Sequence, residues 1–150
     1  MSKITEILNN LDVSMLVPDL DAVLAKVPTV AVIAVMIGPL ILLILGLIYL
    51  FIPPKEANHK AGFRTYFGMG SIQAWRYTQR LAGLVFGGLG LILSIVMGII
   101  SIGFGGKEPM QILDTAITCL IWEAGLALAA YLAITVIVTV TFDKYGYRRR

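Results

Sequence analysis

Residues 81–104 read LAGLVFGGLGLILSIVMGIISIGF and contain no charged side chain. An apolar run of this length exceeds the roughly 18 residues that suggest a helix crossing a lipid bilayer. Two similar runs lie on either side of it, at residues 30–52 and 117–142, and Glu123 is the only charged residue within the three. The pattern predicts three transmembrane helices.

The composition of the whole chain agrees with this prediction. Of its 150 residues, 58% are hydrophobic and only 14% are charged, an apolar share well above that of a soluble domain. His59 is the only histidine, and no serine–lysine, metal-ligand or phosphate-loop motif is present. We expect an all-α integral membrane protein without enzymatic activity, cofactor or metal ion, with His59 as an interfacial polar residue.

Positive charges next to the spans predict the orientation, because short cytoplasmic segments carry an excess of lysine and arginine. The connection 53–80 has five basic residues and one acidic residue, and the tail 143–150 has four and one. On the other side, residues 1–29 have two basic residues and four acidic ones. We predict the N-terminus outside and the C-terminus in the cytoplasm (N-out, C-in). The net charge of +3 is then explained by the basic residues that set the orientation in the membrane, and we expect no nucleic-acid partner.

The segment 1–29 shows helical periodicity before the first span. Its apolar residues form two short sets, Ile4, Ile7, Leu8 and Leu11, then Leu20, Val23, Leu24 and Val27. This spacing predicts two short amphipathic extracytoplasmic helices. Their acidic polar faces do not favour anionic lipid, so packing on the membrane surface, on the bundle or on a partner protein all remain open. The predicted units are thus the segment 1–29, the membrane domain 30–142 and the tail 143–150.

Small residues recur at intervals of three to four along the second and third spans. They are Gly83, Gly87, Gly90, Ser94 and Gly98 in the second, and Gly125, Ala129 and Ala133 in the third. Small side chains let helix backbones approach closely in lipid. We expect the two strips to pack together in a three-helix bundle, or to mediate assembly of a homo-oligomer or a complex with other membrane subunits.

Two stretches around the second span carry the most specific spacing. Residues 58–65 read NHKAGFRT and residues 75–83 read WRYTQRLAG. Asn-x3-Gly-x-Arg-Thr followed by Trp-x3-Gln-x3-Gly resembles the SdpI-like family of bacterial membrane proteins, named for an immunity protein that protects cells from a secreted killing peptide. The resemblance covers roughly residues 47–100, with a weaker likeness through the third span. It implies a multi-pass protein of the bacterial cytoplasmic (inner) membrane with an immunity or signalling role, and its matched positions are Asn58, Gly62, Arg64, Thr65 and Trp75.

The cytoplasmic motif loop, residues 53–80, has two interpretations. In one, its charges set topology and contact lipid phosphates, while Asn58, Gly62 and Thr65 shape the turn. In the other, the loop is an anion site for a phospholipid headgroup or a peptide carboxylate, made of Asn58, Lys60, Gly62, Arg64, Thr65, Trp75, Arg76, Gln79 and Arg80. Arginine suits such a site because its planar guanidinium forms two parallel hydrogen bonds. Ser71 is a predicted N-cap, and the helix N-terminus that follows would add backbone N–H groups.

Glu123 stands out because an ionised carboxylate inside a bilayer is costly and such residues often mark function. Three interpretations remain open. Glu123 is a neutral acid hydrogen-bonded to Ser94 or Ser101, a contact for a cationic side chain of a partner, or a proton or substrate site. Cys119 is expected to be a small buried apolar residue.

These observations leave two classes of function. The first is a non-enzymatic membrane protein that binds a peptide or lipid-type anionic partner through its basic loop. The second is an accessory structural subunit of a larger bacterial membrane complex, held in place by the small-residue faces. The expected partners are the lipid bilayer, further copies of the chain or other membrane subunits, and a peptide or phospholipid ligand.

Overall fold

A computed structural model describes residues 20–57 and 61–149. It contains three long helices, α1 (Leu20–Phe51), α2 (Ile72–Ile102) and α3 (Pro109–Thr141), with a short 3-10 turn at Gly103–Gly106. Each helix is long and apolar enough to cross a membrane. The predicted all-α class and the three spans are therefore confirmed. The predictions for residues 1–19, for Asn58, His59 and Lys60, and for Arg150 concern positions outside the described residues.

Helix α1 begins ten residues earlier than the predicted span. Leu20 to Val27, predicted as a separate amphipathic helix, form its first turns, and the helix continues through Pro28 and Pro39. The helix is thus continuous across residues 29 and 30, where the segment 1–29 was predicted to end. A proline removes one N–H and bends a helix, and the flanking hydrogen bonds can carry the helix past it.

Helices α1 and α2 approach each other backbone to backbone. Gly46 lies against Gly87, and a Cβ placed at Gly83 would lie 3.0 Å from the Gly46 carbonyl oxygen. A Cβ at Gly90 would lie 2.8 Å from the Pro39 carbonyl oxygen. Glycine is required at Gly46 and Gly90, because the neighbouring atoms there belong to the main chain and cannot move aside as a side chain would.

The predicted pairing of small residues between α2 and α3 was wrong. A Cβ at Gly98 or Gly125 would meet nothing within 4 Å, and Ala129 and Ala133 are exposed. The buried side of α3 comprises Ile112, Ala116, Cys119, Glu123, Ala130, Ile134 and Val138. With 3.6 residues per turn, this stripe lies on a different face from Gly125, Ala129 and Ala133. Gly83, Gly87 and Gly90 of the second span pack on α1 instead.

The buried apolar residues form two clusters, one towards each end of the bundle. The cluster near the α2–α3 connection includes Val35, Met97, Phe104 and Cys119, which is buried as expected. The opposite cluster includes Phe63 of the α1–α2 connection together with Phe86, Ile134 and Phe142. The connection between α1 and α2 therefore folds back and contributes to the core.

Candidate anion-binding site at the α1–α2 connection

Helix α2 begins at the predicted N-cap. The Ser71 hydroxyl oxygen accepts a hydrogen bond from the Ala74 backbone N–H at 3.1 Å, which confirms the prediction. The same hydroxyl donates to the Gly146 carbonyl oxygen at 2.8 Å. A Cβ at Gly70 would lie 2.6 Å from the Gly146 backbone nitrogen. The start of α2 is thus covered by the C-terminal segment.

That C-terminal segment, residues 142–149, folds as a tight turn. The Asp143 carboxylate accepts hydrogen bonds from the backbone N–H groups of Tyr145 and Tyr147, at 2.9 and 2.8 Å. Phe142 and Arg148 form an isolated antiparallel bridge. This turn packs against Gly70 and Ser71, directly before the first residue of α2.

Gln79 holds the connection in place. Its side chain is fully buried. Its Oε1 accepts from the Phe63 N–H at 2.9 Å, and its Nε2 donates to the Phe63 carbonyl at 2.8 Å. Both main-chain groups of a buried residue are thereby satisfied without secondary structure. The Phe63 ring, directed by this pairing, packs 5.6 Å from Phe86 and 5.2 Å from Tyr131 between ring centroids.

Trp75 holds a second point of the connection. Its indole Nε1–H donates to the Pro54 carbonyl oxygen at 2.8 Å, and the side chain is fully buried rather than spread along the membrane surface. Gly62 packs directly on this ring, since a Cβ there would lie 2.8 Å from two ring carbons. Its φ of 101° is also a conformation that favours glycine. Sterics and backbone conformation both require glycine at position 62.

Thr65 closes the turn that precedes α2. Its hydroxyl oxygen accepts from the Gly68 N–H at 3.0 Å, and the residue is buried. Gly62, Thr65, Trp75 and Gln79 therefore all contact the protein's own chain. Their part in an anion site stays a prediction, whereas Gly62 and Thr65 shape the connection, as one of the two interpretations expected.

Arg76 and Arg80 are the predicted site residues that face open space. They are exposed, one helical turn apart on α2, and no hydrogen bond or ion pair joins them to another described residue. They line two adjoining clefts, of about 540 and 230 Å³. Arg64 is also exposed, but it lines neither cleft.

The walls of the two clefts differ in character. Beside the two arginines, the larger cleft is lined by Ile72, Gln73 and Tyr77, and the smaller one by Pro53, Pro54 and Lys55. The smaller cleft thus gathers three cationic side chains. Trp75 positions its wall through the hydrogen bond to Pro54. Among the residues described, no group of three or more His, Cys, Asp or Glu could hold a metal ion.

Glu123 lies apart from this site, inside the bundle. It is 6% exposed, and its Oε1 has no hydrogen-bond partner among the described residues. The predicted hydrogen bond to a serine of α2 was wrong, because the Ser94 hydroxyl donates to the Gly90 carbonyl at 2.7 Å and the Ser101 hydroxyl has no partner in the described part of the chain. The carboxyl group instead packs on α1, where a Cβ at Gly38 would lie 2.7 Å from Oε2.

Several residues that contact another helix or segment in the structure were not predicted from the sequence. Pro39 and Gly46 of α1 contact the α2 backbone, and their spacing of seven residues, two helical turns, places them on one face. That spacing could have identified α1 as the partner of α2. Gly38 and Gly146 offered no comparable pattern, because each contacts residues far away in the sequence.

Three long apolar helices joined by a buried connection define a multi-pass membrane protein. A model of the SdpI/YfhL protein family matches residues 55–142, which is more than half of the chain. The chain therefore belongs to the SdpI/YfhL protein family, as its motif spacing indicated. The match begins later than expected and extends through α3, so that α1 precedes it. No curated protein and no solved structure matches the chain.

Proposed function

We propose that the protein is a non-enzymatic binding protein of the bacterial cytoplasmic membrane, of an immunity or signalling type, which binds an anionic group through Arg76 and Arg80. One observation carries this proposal. The two guanidinium groups share one face of α2, line adjoining clefts, and have no partner among the described residues. Membership of the SdpI/YfhL family supports the membrane setting.

The chemistry of the clefts favours a carboxylate or a phosphate. A guanidinium group presents parallel N–H donors that match two oxygens of either group. Lys55 adds a third positive charge at the smaller cleft. Ile72 and Tyr77 are exposed and line the larger cleft. They offer an apolar surface to the acyl chain of a phospholipid or to an apolar side chain of a peptide. The ligand is accordingly a phospholipid headgroup or a peptide carboxylate.

Rigidity of the connection supports the same proposal. Lys55 follows Pro54, whose carbonyl is held by Trp75, and Trp75 precedes Arg76 on α2. The buried motif residues therefore fix the distance between the basic groups without touching the ligand. Preorganised donors lose less conformational freedom on binding than flexible ones.

Orientation decides which side of the membrane the ligand approaches, and we propose the cytoplasmic side from the charge distribution. The test uses a Cys119→Ala background and single cysteines at Ala57 and Gly106, which are both exposed. In intact cells a membrane-impermeant maleimide should label Gly106→Cys and leave Ala57→Cys unlabelled until the cells are opened. The reverse pattern would place the clefts outside.

The binding test replaces both arginines by lysine, which keeps the charge but loses the planar geometry. Binding of short-chain phosphatidylglycerol, and of a peptide with a free or amidated C-terminus, is measured on protein in nanodiscs. Loss of charge-assisted hydrogen bonds worth about 1.5–3 kcal/mol should weaken the recognised probe by roughly tenfold or more. Arg64→Lys is the matched control and should bind normally. Equal affinities for wild type and the Arg76→Lys/Arg80→Lys variant would contradict the proposal.

A second candidate function, an accessory structural subunit, is favoured by one observation. The small-residue positions Gly98, Gly125, Ala129 and Ala133 remain open in the single chain, and such strips allow close approach of another helix. Gly125→Leu should then dissociate a homo-oligomer or a co-purifying membrane complex at unchanged protein abundance. A complex unaffected by Gly125→Leu and by Gly98→Leu would argue against a subunit role.

A further inference from the structure

A separate cavity lies between α1 and α3. Its volume is about 340 Å³, and it is lined by Gly38, Ile41, Leu42, Leu120, Glu123, Ala124 and Ala127. All of these except Glu123 are apolar. Ile41 and Leu120 are exposed at its rim, so the cavity opens on the side of the bundle rather than at its ends. None of its residues lines the arginine clefts.

The cavity lies within the charge-free part of the helices. Along α3, Asp114 and Asp143 are the nearest charged residues before and after Glu123. At ~1.5 Å per residue, Glu123 is roughly 13 Å from Asp114 along the axis, and further from Asp143. On α1, Gly38 is flanked at still greater distances by Lys26 and Lys55. The opening of the cavity therefore faces lipid hydrocarbon rather than water.

The carboxyl group of Glu123 is the polar group of this cavity whose hydrogen bonds are incomplete. Its Oε1 accepts no hydrogen bond from the described residues, while Oε2 packs on Gly38. A buried polar group without a partner is costly, above all where no water is present to compensate. The terminal torsion of glutamate is soft and nearly two-fold. A rotation of the carboxyl group therefore brings an oxygen to the cavity without moving the helices.

The size of the cavity limits what can occupy it. Its α3 wall runs from Leu120 to Ala127, about 10 Å along the helix axis. A transmembrane helix of a partner needs a surface close to 30 Å long, so the cavity suits one compact molecule. That molecule needs an apolar body for the walls and one strong hydrogen-bond donor for the acid.

We propose that this cavity is a binding site for a compact lipophilic amine that enters from the membrane. The amine nitrogen lies against the Glu123 carboxyl group, and the apolar body fills the space between α1 and α3. The acid proton moves to the nitrogen on binding, so that an ammonium–carboxylate pair forms and no further reactant is required. In a medium of low dielectric constant this attraction is much stronger than in water. The site selects a cation, whereas the arginine clefts select an anion.

The test follows the reactivity of Glu123 in phosphatidylcholine nanodiscs. Dicyclohexylcarbodiimide dissolves in lipid and adds to a protonated carboxyl group, and the O-acylisourea rearranges to a stable N-acylurea without a leaving group. Mass spectrometry should find one adduct on Glu123 and none on the exposed Glu56 and Glu108. Absence of the adduct on Glu123 would overturn the lipid access that the proposal needs.

Ligand selectivity is tested by protection with a compact cage amine. 1-Aminoadamantane, at ten times its dissociation constant measured by titration, should slow the modification of Glu123 roughly tenfold. Adamantane-1-carboxylate has the same apolar cage with the opposite charge and should give no protection. Equal protection by the two compounds, or none by the amine, would overturn the proposal.

Variants then locate the site. Ala127→Leu fills the cavity and should abolish protection by the amine, whereas Ala133→Leu, at an exposed position that does not line the cavity, should retain it. Glu123→Gln should remove the adduct altogether. Ala124→Leu serves if Ala127→Leu fails to fold, since Ala124 lines the same wall and is exposed. Full protection in the filled variants would show that the amine binds elsewhere.

Discussion

The two helix interfaces of the bundle are built differently. Helices α1 and α2 meet through main-chain atoms at Gly46, Gly83, Gly87 and Gly90, where an added Cβ has no room at three of the four positions. Helix α3 packs through side chains, and its small residues Gly125, Ala129 and Ala133 remain open. The first interface brings main-chain atoms into direct contact, whereas the second contains a cavity in which Glu123 Oε1 has no hydrogen-bond partner among the described residues. The contrast indicates that the α1–α2 interface has little room for an added side chain, while the α1–α3 interface has more.

The largest effect is expected from breaking the α1–α2 interface. Gly90→Leu places a side chain against the backbone of Pro39 and Leu43. Ordinary overpacking costs about 1–3 kcal/mol, and backbone atoms that cannot move aside should raise this cost enough to abolish folding. Gly98→Leu, on the same helix but in open space, should melt like the wild type in mild detergent. Similar melting temperatures for the two variants would contradict the contrast between the interfaces.

The next largest effect concerns the connection that packs beside this interface. Gln79→Leu removes the donor and the acceptor that satisfy Phe63, and each buried unpaired group costs about 1–3 kcal/mol. Gln73→Leu is the matched control, because Gln73 is exposed on the same helix. Thermal unfolding should show a clearly lower melting temperature for Gln79→Leu and an unchanged one for Gln73→Leu. An unchanged melting temperature would mean that Phe63 does not depend on this pairing.

A smaller loss is expected at Gly62. Gly62→Ala combines a conformation disfavoured for alanine, costing about 1–2 kcal/mol, with a contact against the Trp75 ring. Gly105→Ala should be silent, since a Cβ there meets nothing and its φ is not positive. In a Trp122→Phe background, the fluorescence of Trp75 offers a local readout, because displacement of the connection would expose its indole to water. The same spectrum and stability in Gly62→Ala would refute the steric argument.

The smallest effects come from two serines of α2. Ser71→Ala removes the N-cap and the hydrogen bond to Gly146, and loss of an N-cap costs about 1 kcal/mol. Ser101→Ala removes a buried hydroxyl that has no partner among the residues the structure describes, so stability should stay the same or rise slightly. Both are measured as melting temperatures in the same detergent. A larger loss in Ser101→Ala than in Ser71→Ala would show that its hydroxyl has a partner after all.

Local signals in the sequence predicted local structure well. The N-cap at Ser71 followed from one hydroxyl ahead of an apolar helix, and the burial of Cys119 from the general behaviour of free cysteines. The candidate site was predicted less well. Arg76 and Arg80 face open clefts, whereas Trp75 and Gln79 of the same motif turned inward. Polar side chains can bind a ligand or their own backbone, and residue type alone does not distinguish the two.

The sequence by itself determined that this protein has three apolar helices of membrane-spanning length, because uninterrupted hydrophobic runs report the solvent around a helix directly. The tertiary structure alone decided which helix faces which. A helix in lipid is apolar both where it touches lipid and where it touches protein, so its periodicity does not mark the buried face. The contacts of Gly90 with α1, of Gln79 with Phe63 and of Glu123 with Gly38 therefore became visible only once the chain was folded.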